Sequence, residues 1–143
     1  MRIAHNTRIM LIDGAHMSLF RNRGQDFSLD LERIEHRDRP AARTSDMGTD
    51  QPGRSFQTAG NGRSAHEGTD FHQQAEDRFS IEAATLFGAE LTGDVCGILV
   101  ASPHVLGVMR KHLPREKLIA EINKDFAQRS VKDITDMLVS HES

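Results

Sequence analysis

The chain has 143 residues and 16.0 kDa, with 18 Lys and Arg against 21 Asp and Glu and a formal net charge of -3. That length holds one domain with a single modest core and excludes an enzyme assembled from separate cofactor and substrate modules. The near-neutral charge excludes a globally basic nucleic-acid binder and leaves only a local basic patch.

No apolar run reaches the roughly 18 residues of a membrane span. The opening Met1-Arg2-Ile3-Ala4-His5-Asn6 meets polar residues too early for a signal peptide, so a cytoplasmic protein with no membrane association is expected. Cys96 is the only cysteine, which excludes an internal disulfide and a cysteine cluster for zinc. Trp and Tyr are absent, so any stacking on bases falls to seven Phe and eight His.

In chain order, Ile9-Met10-Leu11-Ile12 is an almost continuous apolar run, as in a strand buried on both faces. Asp13-Gly14 then predicts a type I′ hairpin turn into a second strand, where Ala15, Met17 and Leu19 alternate with His16 and Ser18. Phe27 to Arg37 alternates again and predicts a third strand. Between Glu35 and Ser80 there is no Ile, Leu or Val, while Pro40, Pro52 and five glycines crowd together. The segment from Asp38 to His66 is therefore expected to be a long, exposed, mobile loop, costly to order and with little apolar surface to bury.

Asp70 with Gln73 predicts a helix start, followed by Phe71, Ala75, Phe79, Ala83, Leu86 and Leu91 on one face and Gly93 as the stop. Val95 to Ala101 reads as a parallel strand covered on both faces, with Cys96 packed inside it. Ser102-Pro103 opens a second helix with Val105, Leu106, Met109 and Leu113 inward, ended by Pro114. Ser130 with Asp133 forms a capping box for a terminal helix carrying Ile134, Met137, Leu138 and His141 on one face.

The stretch from Leu118 to Phe126 is ambiguous: Leu118, Ile122 and Phe126 suit a helix, whereas Ile119 to Asp125 suits an amphipathic strand. Periodicity alone slightly favours the helix. Reading it as a strand gives three antiparallel strands followed by helix, strand, helix, strand, helix. This is an α/β, ribonuclease H-like order, in which a five-stranded mixed sheet with helices on its faces buries the short apolar runs. The whole of residues 1–143 is then a single domain carrying the mobile loop 38–66.

Over nearly its whole length the chain resembles the bacterial host-attachment proteins. The resemblance is carried by Ile12-Asp13-Gly14-Ala15, Gly48-Thr49-Asp50, Pro52-Gly53-Arg54-Ser55-Phe56, Gly62-Arg63-Ser64-Ala65, Ala101-Ser102-Pro103 and Ala120-Glu121-Ile122-Asn123-Lys124-Asp125. That family is similar to the middle domain of eukaryotic and archaeal peptide-chain release factors. The resemblance implies a ribonuclease H-like fold and supports the strand at Ile119 to Asp125.

In those release factors a Gly-Gly-Gln tip followed by Ser-Ala precedes the long helix. The similar stretch here is Asn61-Gly62-Arg63-Ser64-Ala65. Asn61 replaces the first glycine and Arg63 the glutamine. Glutamine offers an acceptor and donors that can order a water beside an ester, whereas arginine has donors only and is always charged. Arginine does clamp phosphate well.

The resemblance therefore implies a non-enzymatic or catalytically degenerate domain that associates with the ribosome or with transfer or ribosomal RNA. The RNA-binding candidates are Asn61, Gly62, Arg63 and Ser64, with Arg54 and Arg43 adding phosphate contacts; the plain alternative is a solvated linker with ordinary arginines. A protein-interaction module in host or surface attachment, and an ester hydrolase acting on peptidyl-tRNA with Arg63 and backbone amides as an oxyanion site, remain open.

No cofactor, metal or catalytic residue is assigned. Asp13 invites a metal-nuclease reading, but carboxylate partners are missing and it more simply builds the hairpin turn. His66 and His72, with Glu76, fall short of a four-ligand site, and His104 and His112 read as surface residues.

Overall fold

The computed structural model describes residues 1–39 and 61–141, with backbone alone for 61–70. The strands are β1 (Arg8–Ile12), β2 (His16–Asn22), β3 (Leu31–Asp38), β4 (Gly97–Ala101) and β5 (Leu118–Asn123). The helices are α1 (Asn61–Glu90), α2 (Pro103–Arg110) and α3 (Val131–Ser140), with a short 3-10 turn at Arg115–Lys117.

The strands form one sheet in the order β3-β2-β1-β4-β5. β1 to β3 pair antiparallel, whereas β1 with β4 and β4 with β5 pair parallel. This is the ribonuclease H-like arrangement that the sequence implies, and residues 118–123 take the strand alternative rather than the helix.

Alternation along the central strands divides the core into two layers. Met10 and Ile12 of β1, Met17 and Leu19 of β2, and Leu99 and Ala101 of β4 face α1 and α2. Ile9 and Leu11, Phe20, Ile98, Val100 and Ile122 face Ile134, Met137 and Leu138 of α3. Three layers result, and β1 and β4 are apolar on both faces because both are covered. Each such fully buried Ile, Leu or Phe contributes about 1.5–3 kcal/mol of transfer free energy. The capping box at α3 forms as expected, with Ser130 Oγ accepting from Asp133 N at 3.1 Å.

Several expectations change. The turn after β1 is not type I′, since among the described glycines only Gly93 has positive φ. The Asp13 carboxylate instead accepts from Ala15 N and His16 N, both at 2.7 Å, and supplies the turn's hydrogen bonds itself. β3 begins at Leu31 rather than Phe27, because Gln25 and Ser28 bridge to each other in a tight reversal and leave Phe27 55% exposed.

β4 begins at Gly97, so Cys96 sits half-buried before the strand rather than packed inside it. α2 opens with Pro103 in its first turn, and the Ser102 side chain makes no cap bond. α1 starts at Asn61, not Asp70, so residues 61–66 are helical rather than loop, and Asp38 closes β3. A helix propagating from an anchored half needs no apolar stripe of its own. Residues 40–60, the remainder of the expected loop, lie outside the described residues.

The α1 register on the sheet decides where its N-terminal half goes. Arg8, at the start of β1, pairs with Glu90 at the end of α1, Nε to Oε1 at 2.8 Å. Gly14, just past the end of β1, lies against Glu76, whose carboxyl carbon would be 2.9 Å from a Cβ placed there. The helix therefore runs antiparallel to β1. Residues 8 to 14 of an extended chain and 76 to 90 of a helix each cover about 20 Å, so the two match in length. Residues 61 to 75 then run on for about 22 Å beyond the carboxyl ends of β1 and β4.

Candidate nucleic-acid interface

The projecting part of α1 is held by what lies behind it. Phe79, Ala83, Ala84, Phe87 and Leu91 are buried in the core, whereas Phe71 is 71% exposed because it lies beyond the sheet edge. Phe71 shares the expected face with Ala75, but Ala75 is half-buried whereas Phe71 is exposed.

Close packing of the anchored half depends on Gly97, where a Cβ would meet Phe87 Cζ at 2.7 Å and Leu91 Cδ2 at 2.9 Å. A polar brace holds the helix where it leaves the sheet. His104, at the start of α2, donates from Nε2 to Asp77 Oδ1 at 2.8 Å. The Gln73 amide donates to the same oxygen at 3.0 Å.

The brace joins residues 27 positions apart and was not readable from sequence. His104 reads there as a surface residue, and no local spacing links it to Asp77. The hydrogen bond from His104 holds the Asp77 carboxyl below its ordinary value of 3.8, against partial desolvation and with help from Gln73. A carboxyl lowered in the folded state stabilises the fold above its unfolded pKa, and that contribution is lost as pH falls through the lower folded value. His104→Ala is therefore expected to return the Asp77 titration midpoint toward the ordinary value, measured by carboxyl-carbon NMR. An unmoved midpoint would remove the brace from the account.

Asn61, Gly62, Arg63 and Ser64 form the first turn of α1. The first four N–H groups of a helix have no partner within it, and the aligned peptide dipoles make that end positive. This first turn carries no acidic residue to offset the field. Backbone donors and a positive helix end thus lie at the far end of a projecting helix, in a turn whose sequence includes Arg63, a combination suited to phosphate. Arg43 and Arg54 lie outside the described residues.

Among the described residues, no group of three or more His, Cys, Asp or Glu is placed to hold a metal ion. Asp13 is engaged in its turn, and His72 is exposed on α1.

A family model described as bacterial archaeo-eukaryotic release factor family 12 matches residues 6–138. The chain belongs to this release-factor family. The match spans all five strands and nearly all of α3, so family 12 membership covers the whole sheet rather than one motif. No curated protein matches the chain. Among the described residues, no helix is long and apolar enough to cross a membrane.

Proposed function

We propose that this family 12 protein is a cytoplasmic, non-enzymatic RNA-associated domain acting at or near the ribosome, with the N-terminal end of α1 as its reaching element. The observation that carries this reading is the start of α1 at Asn61. It puts the stretch resembling a release-factor tip at the far end of a braced helix in a chain of release-factor family.

Arg63 in place of glutamine favours phosphate binding over ester hydrolysis, since a guanidinium donates bidentately but has no acceptor with which to order a water. Expressed in cells, the protein should crosslink to ribosomal or transfer RNA when RNA and protein adducts are identified separately. Arg63→Ala is expected to weaken RNA association by about 1–3 kcal/mol and to lower the salt slope by about one counterion. Binding unchanged across a salt series would rule out a phosphate contact at Arg63.

Phe71 supports a second reading. A phenylalanine 71% exposed on the projecting half of α1 is a ready contact for a protein partner. Recovery of protein adducts alone, lost in Phe71→Ser, would favour an interaction module over RNA association.

A further inference from the structure

The sheet has a second polar site, on the face opposite α1. α3 covers β1, β4 and β5 but leaves the outer ends of β2 and β3 open. There an open pocket of about 310 Å³ is lined by His16, Arg33, His36, Asp38 and the segment Ala127-Gln128-Arg129. Cross-strand pairing explains the grouping, since His16 stands opposite Asp38, Ser18 opposite His36 and Phe20 opposite Arg33.

The last pair exists only because the ladder shifts register between Leu19 and Phe20. Leu19 pairs with Glu35, so an unbroken ladder would set Phe20 against Ile34 and send Arg33 to the other face. The bulge excludes Ile34 and aims Arg33 into the pocket, the kind of re-aiming for which bulges recur beside functional sites.

The charged groups are pre-positioned. The Arg33 guanidinium lies 5.5 Å from the centre of the Phe20 ring, and that of Arg129 lies 4.8 Å from the Phe126 ring. His16 Nδ1 is 2.8 Å and His36 Nε2 3.2 Å from the same oxygen of Asp38. A carboxylate only accepts, so both imidazoles donate to it. His36 Nδ1 is then left to accept from Ser18 Oγ at 3.1 Å. His16 has its Nε2 free of any such bond among the described residues.

The single carboxylate in the lining is thus engaged by two histidines, while two guanidiniums remain to donate to a ligand. Among the described residues Arg33 has no carboxylate partner, and Arg129 reaches Asp133 only at 3.9 Å.

We infer that this pocket binds a phosphate monoester. The Arg33 and Arg129 guanidiniums supply N–H donors to its terminal oxygens. The volume exceeds that of a bare phosphate and lies at the lower end of the range for small-molecule sites, which leaves room for part of the group that carries it. The site is independent of the α1 tip, so it survives or fails separately from the RNA-associated reading.

The test is an NMR titration of the intact protein, following the imidazole resonances of His16 and His36 with three probes: inorganic phosphate, adenosine 5′-monophosphate and an oligoribonucleotide with a free 5′-hydroxyl. Saturable shifts with the first two are expected. Arg33→Gln and Arg129→Gln should each weaken binding by about tenfold. Arg37→Gln, on the opposite face of β3 and paired with Glu35, should leave binding unchanged. Arg33→Gln could release the Phe20 ring it covers, and Arg129→Gln, outside the sheet, keeps the test independent of that. Shifts that never saturate, or that fall equally in the Arg37 variant, would overturn the site. Equal binding of the 5′-hydroxyl oligonucleotide would overturn the monoester assignment in favour of internal phosphodiesters.

Discussion

Asn22→Ala is expected to lower the free energy of unfolding by about 3–4 kcal/mol, one of the largest losses available to a single polar substitution in this chain. Asn22 is fully buried at the end of β2. Its amide donates to Ile3 O and Ala4 O, both at 3.1 Å, and its carbonyl oxygen accepts from Gly24 N at 2.9 Å and Asp30 N at 3.1 Å. One side chain therefore ties the N-terminal segment, the 23–30 reversal and β2 together, and alanine would leave two backbone carbonyls and two N–H groups without it.

Gly24 belongs to the same unit. A Cβ there would sit 1.9 Å from Ser28 O, so the reversal cannot readily relax around the loss. Asn22→Asp tests the cause. At neutral pH it turns both donors into acceptors facing carbonyls and should be no milder than alanine, with partial recovery in acid as the carboxyl regains a proton. Urea denaturation measures the effect, and a midpoint shift without a change in m-value would mark it as a stability loss.

Gly97→Val is expected to destabilise by about 2–4 kcal/mol through overpacking. The atom a Cβ would strike is the tip of the Phe87 ring, which is itself fully buried and has nowhere to turn. Phe87→Leu should recover part of the loss in the double variant, because it withdraws the ring atoms nearest Gly97. Full additivity of the two substitutions, measured by thermal or denaturant melts, would mean that the two residues do not share this contact.

The elements legible in the sequence are those whose burial writes a pattern locally. β1 and β4 are apolar runs because both faces are covered, and the Ser130–Asp133 cap is contained in four residues. The strand at 118–123 follows from the sheet needed to bury the short apolar runs, with support from the family resemblance, since periodicity alone slightly favours a helix. The first turns of α1 are not legible in the sequence, because hydrophobic periodicity reports where a helix is buried and says nothing about where it projects.

At the candidate tip, position 61 to 64 was readable from resemblance, but its helical backbone was not. The Asp77–His104 brace and the phosphate pocket depend on contacts between distant segments. The pocket also depends on one extra residue in β3, and a bulge of that kind leaves no mark on composition. The Asn22 unit is likewise assembled from three separate stretches, none of which announces a buried amide.

The β1–β4 pairing also sets a timetable for biosynthesis. Arg8 to Leu11 match Gly97 to Val100, a separation of about ninety residues, so β1 has a finished neighbour on one side only while the rest of the chain is being made. At roughly 5–20 residues per second, the ribosome leaves that apolar edge open for about 5–18 s before β4 emerges. A strand apolar on both faces with one free edge is a template for unwanted pairing during that interval. Nascent chains stalled between β3 and β4 should accordingly engage holdase chaperones more strongly than chains released after β4 has cleared the exit tunnel.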